Sequence, residues 1–176
     1  QPFVLAAHNE TSLRMEGGQL RDIQSVLQTP YTRTNIEGTI DFSGKADLSV
    51  HTTTEKIPEI DLLFHHLQSY FGGKPARLQE FWGVSGKADF QGHLDQTVWS
   101  PFKPRITGNV HGRDTTFHGV HLDDVYGDVQ FYDRLIEIFD SSMKTNGATG
   151  RAKAKFFLED KKAGINDDAL ELEASV

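Results

Sequence analysis

The chain has 176 residues, a length that suits one or two domains, and a formal net charge of −7 at pH 7. Because phosphate-binding surfaces need clustered Lys and Arg, this acidic balance argues against nucleic acid as a partner. The absence of cysteine excludes disulfide bonds and thiolate metal sites. The chain begins at Gln1, so we expect a fragment or processed product of a longer protein, whose membrane anchor would lie outside it.

Alternation and turn residues predict strands through the first third of the chain. Leu20 to Gln28 fits a helix as well as a strand, because Leu20, Ile23 and Val26 have helical spacing. No cap residue is evident there and the segment leads into a β-rich region, so we favour the strand. The predicted strands are 3–6, 11–16 before a turn at Gly17-Gly18, 20–28, and two within 31–50 around Ser43-Gly44.

Residues 58–71 interrupt the β pattern. Apolar residues recur there at steps of three and four, which predicts an amphipathic helix. Pro58 suits a first helical turn, and Gly72-Gly73 would end the helix.

Strand patterns resume after the predicted helix. The predicted strands are 81–94, 105–110, 115–122, 125–132, 135–140, 150–159 and 170–176, with turns at Asp123-Asp124 and Asp133-Arg134. The sum is a mostly β chain with meander-like connections. We expect one β-rich fragment, residues 1–176, in which the parts are about 1–57, the helix at 58–73, and 81–176.

A glycine-containing strand pattern recurs along the chain. In its first copy, residues 36–47, the apolar or small residues Ile36, Gly38 and Ile40 alternate with polar residues, so they lie on one side of a strand. Looser copies occupy residues 84–92, 106–112 and 148–154. This self-similarity indicates a β-repeat architecture.

No pattern of catalytic or metal-binding residues emerges, and we do not expect an enzyme, a metal or another cofactor. The Gly44-Lys45 and Gly86-Lys87 pairs lack the remaining residues of a phosphate-binding loop. The adjacent pair His65-His66 cannot form the ligand pair that a metal needs on one helix face. We expect Asp123-Asp124 to act as turn residues.

The repeats resemble those of the AsmA-like superfamily, most closely its TamB (translocation and assembly module) branch. Residues 84–94, the Pro-containing turn and residues 105–110 are similar to that family's unit of two Gly-containing strands. Residues 117–138 are similar to its following unit, and residues 147–152 begin the last strand of the cycle. The resemblance covers most of the chain.

The resemblance implies a curved, trough-like β-sheet with an apolar inner surface, often called a β-taco. It also implies a periplasmic protein, anchored in the inner membrane, that carries phospholipid between the inner and outer membranes. Such a protein would contact phospholipid acyl chains and an outer-membrane assembly partner protein, and would support outer-membrane biogenesis. Under this hypothesis the groove-lining residues are Ile36, Ile40, Phe42, Leu48, Val84, Ala88, Phe90, Ile106, Val110, Val125, Val129 and Phe131.

Two other classes fit the same alternation. A self-contained β-sandwich or solenoid would pack these apolar residues into a closed core and serve as a structural or adhesive module. A chaperone for β-strands of outer-membrane proteins would instead pair clients with an exposed sheet edge.

Overall fold

The computed structural model describes residues 8–41, 43, 45–60, 83–97, 105–117, 119–132, 135–157 and 169–175. These residues are almost entirely β, which confirms the predicted fold class. The strands are β1 (His8–Glu16), β2 (Gln19–Gln28), β3 (Thr32–Asp41), β4 (Lys45–Thr54), β5 (Val84–Thr97), β6 (Arg105–Phe117), β7 (Val120–Tyr132), β8 (Leu135–Thr145), β9 (Ala148–Phe157) and β10 (Ala169–Ser175).

All ten strands form one antiparallel meander sheet in which each strand pairs with its sequence neighbours. Two of the connections are two-residue turns, Gly17-Gly18 and Asn146-Gly147, and all four residues have positive φ. That backbone belongs to the tight hairpin turns whose twist matches the flanking strands, and glycine and asparagine adopt it most readily. The sheet is curved. It is also not closed, because β1 and β10 each pair on one side only among the described residues.

The strand preferred for residues 20–28 is confirmed as β2, and the two strands expected around Ser43 are β3 and β4. The strand predicted for residues 3–6 lies outside the described residues.

Two predictions between residues 115 and 140 were wrong. Residues 115–122 are not a strand of their own, because Thr115 to Phe117 end β6 and Val120 to Leu122 begin β7. Asp123-Asp124 is likewise no turn but the interior of β7. The carboxylates are accommodated there because each has a polar partner: the Asn146 amide N–H donates to Asp123 Oδ2 at 2.9 Å, and His111 lies 2.5 Å from Asp124 Oδ1.

The helix predicted from residue 58 begins one residue earlier, at Ile57, and residues 57–60 are helical. The remainder of the predicted helix, residues 61–71, lies outside the described residues.

One buried carboxylate attaches this helical turn to the sheet. Glu59 is 4% exposed. Its Oε2 accepts hydrogen bonds from the hydroxyls of Thr29 and Thr32, each at 2.5 Å, and from the Tyr31 amide at 3.2 Å. Hydrogen bonds this short are typical of hydroxyls that donate to an ionised carboxylate. The Thr32 hydroxyl also lies 2.9 Å from that of Thr54, so the β2–β3 turn, the end of β4 and the helical turn share one network.

Three aspartates place β-bulges in strands β2, β6 and β8. Asp22 in β2, Asp114 in β6 and Asp140 in β8 have φ of 51°, 48° and 49°, and each is where the strand contributes one residue more than a neighbour. Asp tolerates this left-handed backbone better than most residues. A bulge bends a strand and increases its twist, so these three positions contribute to the curvature of the sheet.

Gly38 allows β3 and β4 to approach closely. Its φ is +145°, and a Cβ at this position would overlap the Asp47 carbonyl oxygen and lie 3.0 Å from the Leu48 Cα. Any side chain at residue 38 would therefore push two backbones apart.

We predict that Glu59→Ala lowers the free energy of unfolding by about 2–3 kcal/mol, because it removes a buried carboxylate that accepts hydrogen bonds from the Thr29 and Thr32 hydroxyls and the Tyr31 amide. Urea denaturation measures this loss. The matched control is Glu55→Ala. Glu55 pairs with Lys87 at 2.7 Å and raises the pKa of that amine, but both side chains are at least half exposed. Water solvates them after the change, so the control should unfold like the parent; an equal loss in both variants would contradict the anchoring role of Glu59.

We predict that Gly38→Ala destabilises the sheet by more than about 2 kcal/mol, since it adds backbone overlap to an unfavourable φ. Gly147→Ala is the comparison, because Gly147 also has positive φ (+82°) but nothing within 4 Å of an added Cβ. That variant should lose only about 1 kcal/mol. Equal midpoints of urea unfolding for the two variants would show that close approach at Gly38 has no energetic consequence.

Candidate functional site

The cross-strand register places one set of alternate residues on a single face of the sheet. Residues directly opposite each other in an antiparallel pair share a face. Ile36 lies opposite Val50, and Ile40 opposite Ala46. We call the side that carries Ile36 the apolar face and the other side the polar face.

The same face continues across the central strands. Leu48 pairs with Leu94, which pairs with Ile106, which pairs with Phe131. A second row runs from Phe90 to Val110, and in a third Val129 lies opposite Ile138. Of the predicted lining residues, register therefore brings eleven together on this face: Ile36, Ile40, Leu48, Val84, Ala88, Phe90, Ile106, Val110, Val125, Val129 and Phe131. The twelfth, Phe42, lies outside the described residues.

Several residues of this face were not among those predicted. Leu20, Leu94, Ile136 and Ile138 share it by register. Their alternation with polar neighbours was visible in the sequence. They were passed over because the repeat pattern directed attention to residues beside glycines.

The ring of Phe90 lies across two glycines of the apolar face. A Cβ on Gly92 would fall 2.7 Å from Phe90 Cε1, and one on Gly108 would fall 2.9 Å from Phe90 Cε2. Gly92 and Gly108 are themselves directly opposite each other in β5 and β6. The glycine pair thus forms a shallow depression that the aromatic ring fills, and β5 and β6 remain in close contact.

The apolar face has no closed core behind it among the described residues. Among the residues whose burial the structure describes, the buried apolar side chains are Ile23, Ala46, Ala152 and Ala154, and no large side chain is fully buried. All eleven described lining residues are half-buried rather than buried. At the β1 edge, Leu13 and Met15 are 53% and 69% exposed. A well-packed protein interior would enclose such residues, so the described part of the chain leaves this face partly accessible to solvent or to a ligand.

Charge is confined to the opposite face over the central strands. Over residues 32–41, 45–54, 88–97, 105–112 and 125–132, the positions that share the apolar face with Ile36 by register include no Asp, Glu, Lys, Arg or His. On the polar face, diagonal His–Asp pairs connect neighbouring strands: His51 with Asp89 at 2.9 Å, His93 with Asp47 at 3.5 Å, and His111 with Asp124 at 2.5 Å. These cross-strand His–Asp pairs favour the observed register over one in which a strand is shifted by one residue.

Of the remaining histidine candidates, His121 is described and lies on the surface. His121 is exposed and lies 3.4 Å from Asp123. In the part of the chain that the structure describes, no three His, Asp or Glu side chains are arranged to hold a metal ion. His65, His66 and His118 are outside the described residues.

Comparisons with protein-family models, with curated proteins and with solved structures found no match. The AsmA-like resemblance therefore depends on the repeat motifs alone. Within the described ranges, no helix has both the length and the apolarity to cross a membrane.

We predict that the native chain binds a dye whose fluorescence increases on apolar surfaces, and that Leu94→Glu reduces this fluorescence several-fold. Leu94 lies in the middle of the apolar face, and a buried or ligand-covered carboxylate would be costly to desolvate. Thr107→Glu, on the polar face directly opposite His93, is the matched control and should leave the fluorescence unchanged. Absence of dye binding by the folded parent chain would indicate a closed core.

Proposed function

We propose that this chain is a segment of a periplasmic, inner-membrane-anchored bridge that carries phospholipid between the inner and outer membranes. The observation that carries the proposal is the wide apolar face of a single sheet, which the described residues leave uncovered except at one end, where Glu59 of the helical turn binds Thr32. In this role it would support outer-membrane biogenesis, together with an assembly partner in the outer membrane.

On the apolar face, lipid would be bound only through the burial of its acyl chains. Each methylene that leaves water contributes about 0.8 kcal/mol, so a chain of many methylenes binds without specific contacts. Rows such as Leu48, Leu94, Ile106 and Phe131 offer similar side chains on successive strands. A lipid moved by one strand would exchange one set of contacts for an equivalent set, which favours sliding over trapping.

The polar face suits an aqueous environment. Its His–Asp pairs are partly exposed, and its bases meet acids on adjacent strands, as Lys155 does with Glu137 at 3.5 Å. This arrangement leaves one side of the sheet solvated while the other holds lipid. The exposed bases Arg151, Lys153 and Lys155 of β9 lie on the same solvated side.

The two alternatives meet different observations. A two-sheet sandwich is disfavoured because all described strands belong to one sheet. A strand-binding chaperone has one observation in its favour, namely that every residue of the edge strand β1 is exposed. Client pairing at β1 would be abolished by a proline within that strand, such as Ser12→Pro, whereas acyl-chain binding on the central strands would persist.

Site-specific photo-crosslinking in cells tests the proposal. A photoreactive residue at Ile40, Phe90 or Val129 should form lipid adducts, because each lies on the apolar face. The matched controls are Thr39, Asp89 and Gln130, each adjacent in sequence and on the polar face, and these should form none.

Adducts at neither set would remove the lipid-conducting role from this segment. Adducts at both sets would show nonspecific membrane contact and would equally contradict the proposal.

A further inference from the structure

The apolar face contains a hydroxyl-bearing region near the end of the strands that carries the β2–β3 turn. Thr34 and Thr52 are directly opposite each other in β3 and β4, with their Oγ1 atoms 3.0 Å apart. A second group lies on β1 and β2, where the Thr11 and Ser25 hydroxyls are 2.9 Å apart and both lie within 3.3 Å of Asn9 Oδ1. We call these five residues the hydroxyl patch.

Register places the hydroxyl patch beside the apolar rows. Thr52 is directly opposite Phe90, and Thr34 is directly opposite Leu27. Ser25 lies opposite Ile36. Toward this end the face is largely polar on β1 to β4, with Leu27 between the two groups of hydroxyls, and it is apolar toward Leu48 and Leu94. Such a division matches an amphiphile.

The patch has hydrogen-bonding capacity to spare and no charged residue of its own; the Glu59 carboxylate lies beyond it on the same face, bound to Thr32. Two hydroxyls that share one hydrogen bond retain one unused O–H hydrogen and several lone pairs. Thr34 and Thr52 make such a pair, and both are half-buried. With no Lys or Arg on this face of β3 to β7, a phosphate would find no cationic partner there, whereas ester carbonyls and glycerol oxygens need only hydrogen bonds.

The geometry points to a diacyl lipid whose ester–glycerol region lies at the hydroxyl patch and whose acyl chain runs along β4 and β5 toward Leu48 and Leu94. This inference rests on the proposed function. Thr52 and Leu48 are four residues apart, about 13 Å along a strand. Ala46 is six residues from Thr52, about 20 Å. One leaflet of a bilayer holds about 15 Å of hydrocarbon, so a chain that begins at Thr52 ends on the apolar rows of this same face.

Two phosphatidylcholine probes test the inference on the 176-residue chain. One carries a diazirine beside the ester and the other at the end of the acyl chain, and adducts are located by mass spectrometry. We expect the ester-side probe to label the neighbourhood of Thr34 and Thr52 and the terminal probe to label that of Leu48, Leu94 and Ile106.

The double variant Thr34→Val/Thr52→Val keeps side-chain shape and removes both hydroxyls. It should reduce ester-side labelling of this neighbourhood about five-fold, the effect of losing roughly one hydrogen bond, and leave terminal labelling unchanged. The control Thr39→Val/Thr53→Val removes two hydroxyls from the polar face of the same strands and should change neither.

The outcomes separate the two proposals. Terminal adducts on the apolar face with ester-side adducts that are scattered, or insensitive to loss of the hydroxyls, would overturn the hydroxyl patch and leave the lipid-conducting role intact. Absence of adducts with both probes would overturn both. Phosphatidylglycerol probes should label equally well, independently of any variant; a strong preference for the anionic lipid would contradict recognition by uncharged groups.

Discussion

The register of the antiparallel pairs is the constraint on which the rest of this structure depends. Side chains alternate between the two faces of a strand, so a slip of one residue in any pair would exchange the faces of that strand. Over the central strands such a slip would bring Asp89 or His111 among the apolar rows and expose Phe90 or Val110 on the other side. Opposed apolar pairs such as Leu94 and Ile106 favour the observed register on one face, and diagonal His–Asp pairs favour it on the other.

The three bulges reconcile this strict parity with a curved sheet. At Asp22 and Asp140 the bulged strand has one extra residue relative to the neighbour on each side. The residue that follows each bulge, Ile23 or Ser141, is buried. Curvature is thus obtained at defined positions while residues on both sides of the bulge keep their faces. Gly38 and the Gly92–Gly108 pair also matter for the shape of the sheet. They have no side chain at positions where neighbouring groups approach closely.

Alternation and turn residues sufficed to predict the fold class and most strands, since both depend on local sequence. The bulges explain where prediction was difficult. Leu20 and Ile23 are three residues apart, a helical spacing, because Asp22 is the extra residue that returns Ile23 to the same face. Asp123-Asp124 was interpreted as a turn because paired aspartates are typical of turns, whereas cross-strand partners from β6 and from the Asn146 turn accommodate both within β7.

Other features depend on contacts between residues distant in sequence. Thr29 and Thr32 bind the carboxylate of Glu59, which is about thirty residues away in the sequence. No local sequence pattern predicts that contact. The hydroxyl patch is similarly distributed over four strands. The predicted lining residues were more accessible to sequence reasoning, because parity alone assigns them to one face. Whether that face is covered depends on the number of sheets, which alternation does not specify.

The chain has no cysteine, so a single introduced cysteine can report on one face at a time. We would attach a nitroxide spin label at Ile106 on the apolar face, and separately at Thr107 on the polar face, and measure its collisions with a water-soluble paramagnetic reagent. The account predicts that the label at residue 106 is accessible without lipid and becomes shielded when phospholipid is added, while the label at residue 107 is unaffected. A label at residue 106 that is already shielded without lipid, or that stays accessible with it, would contradict an open lipid-binding face.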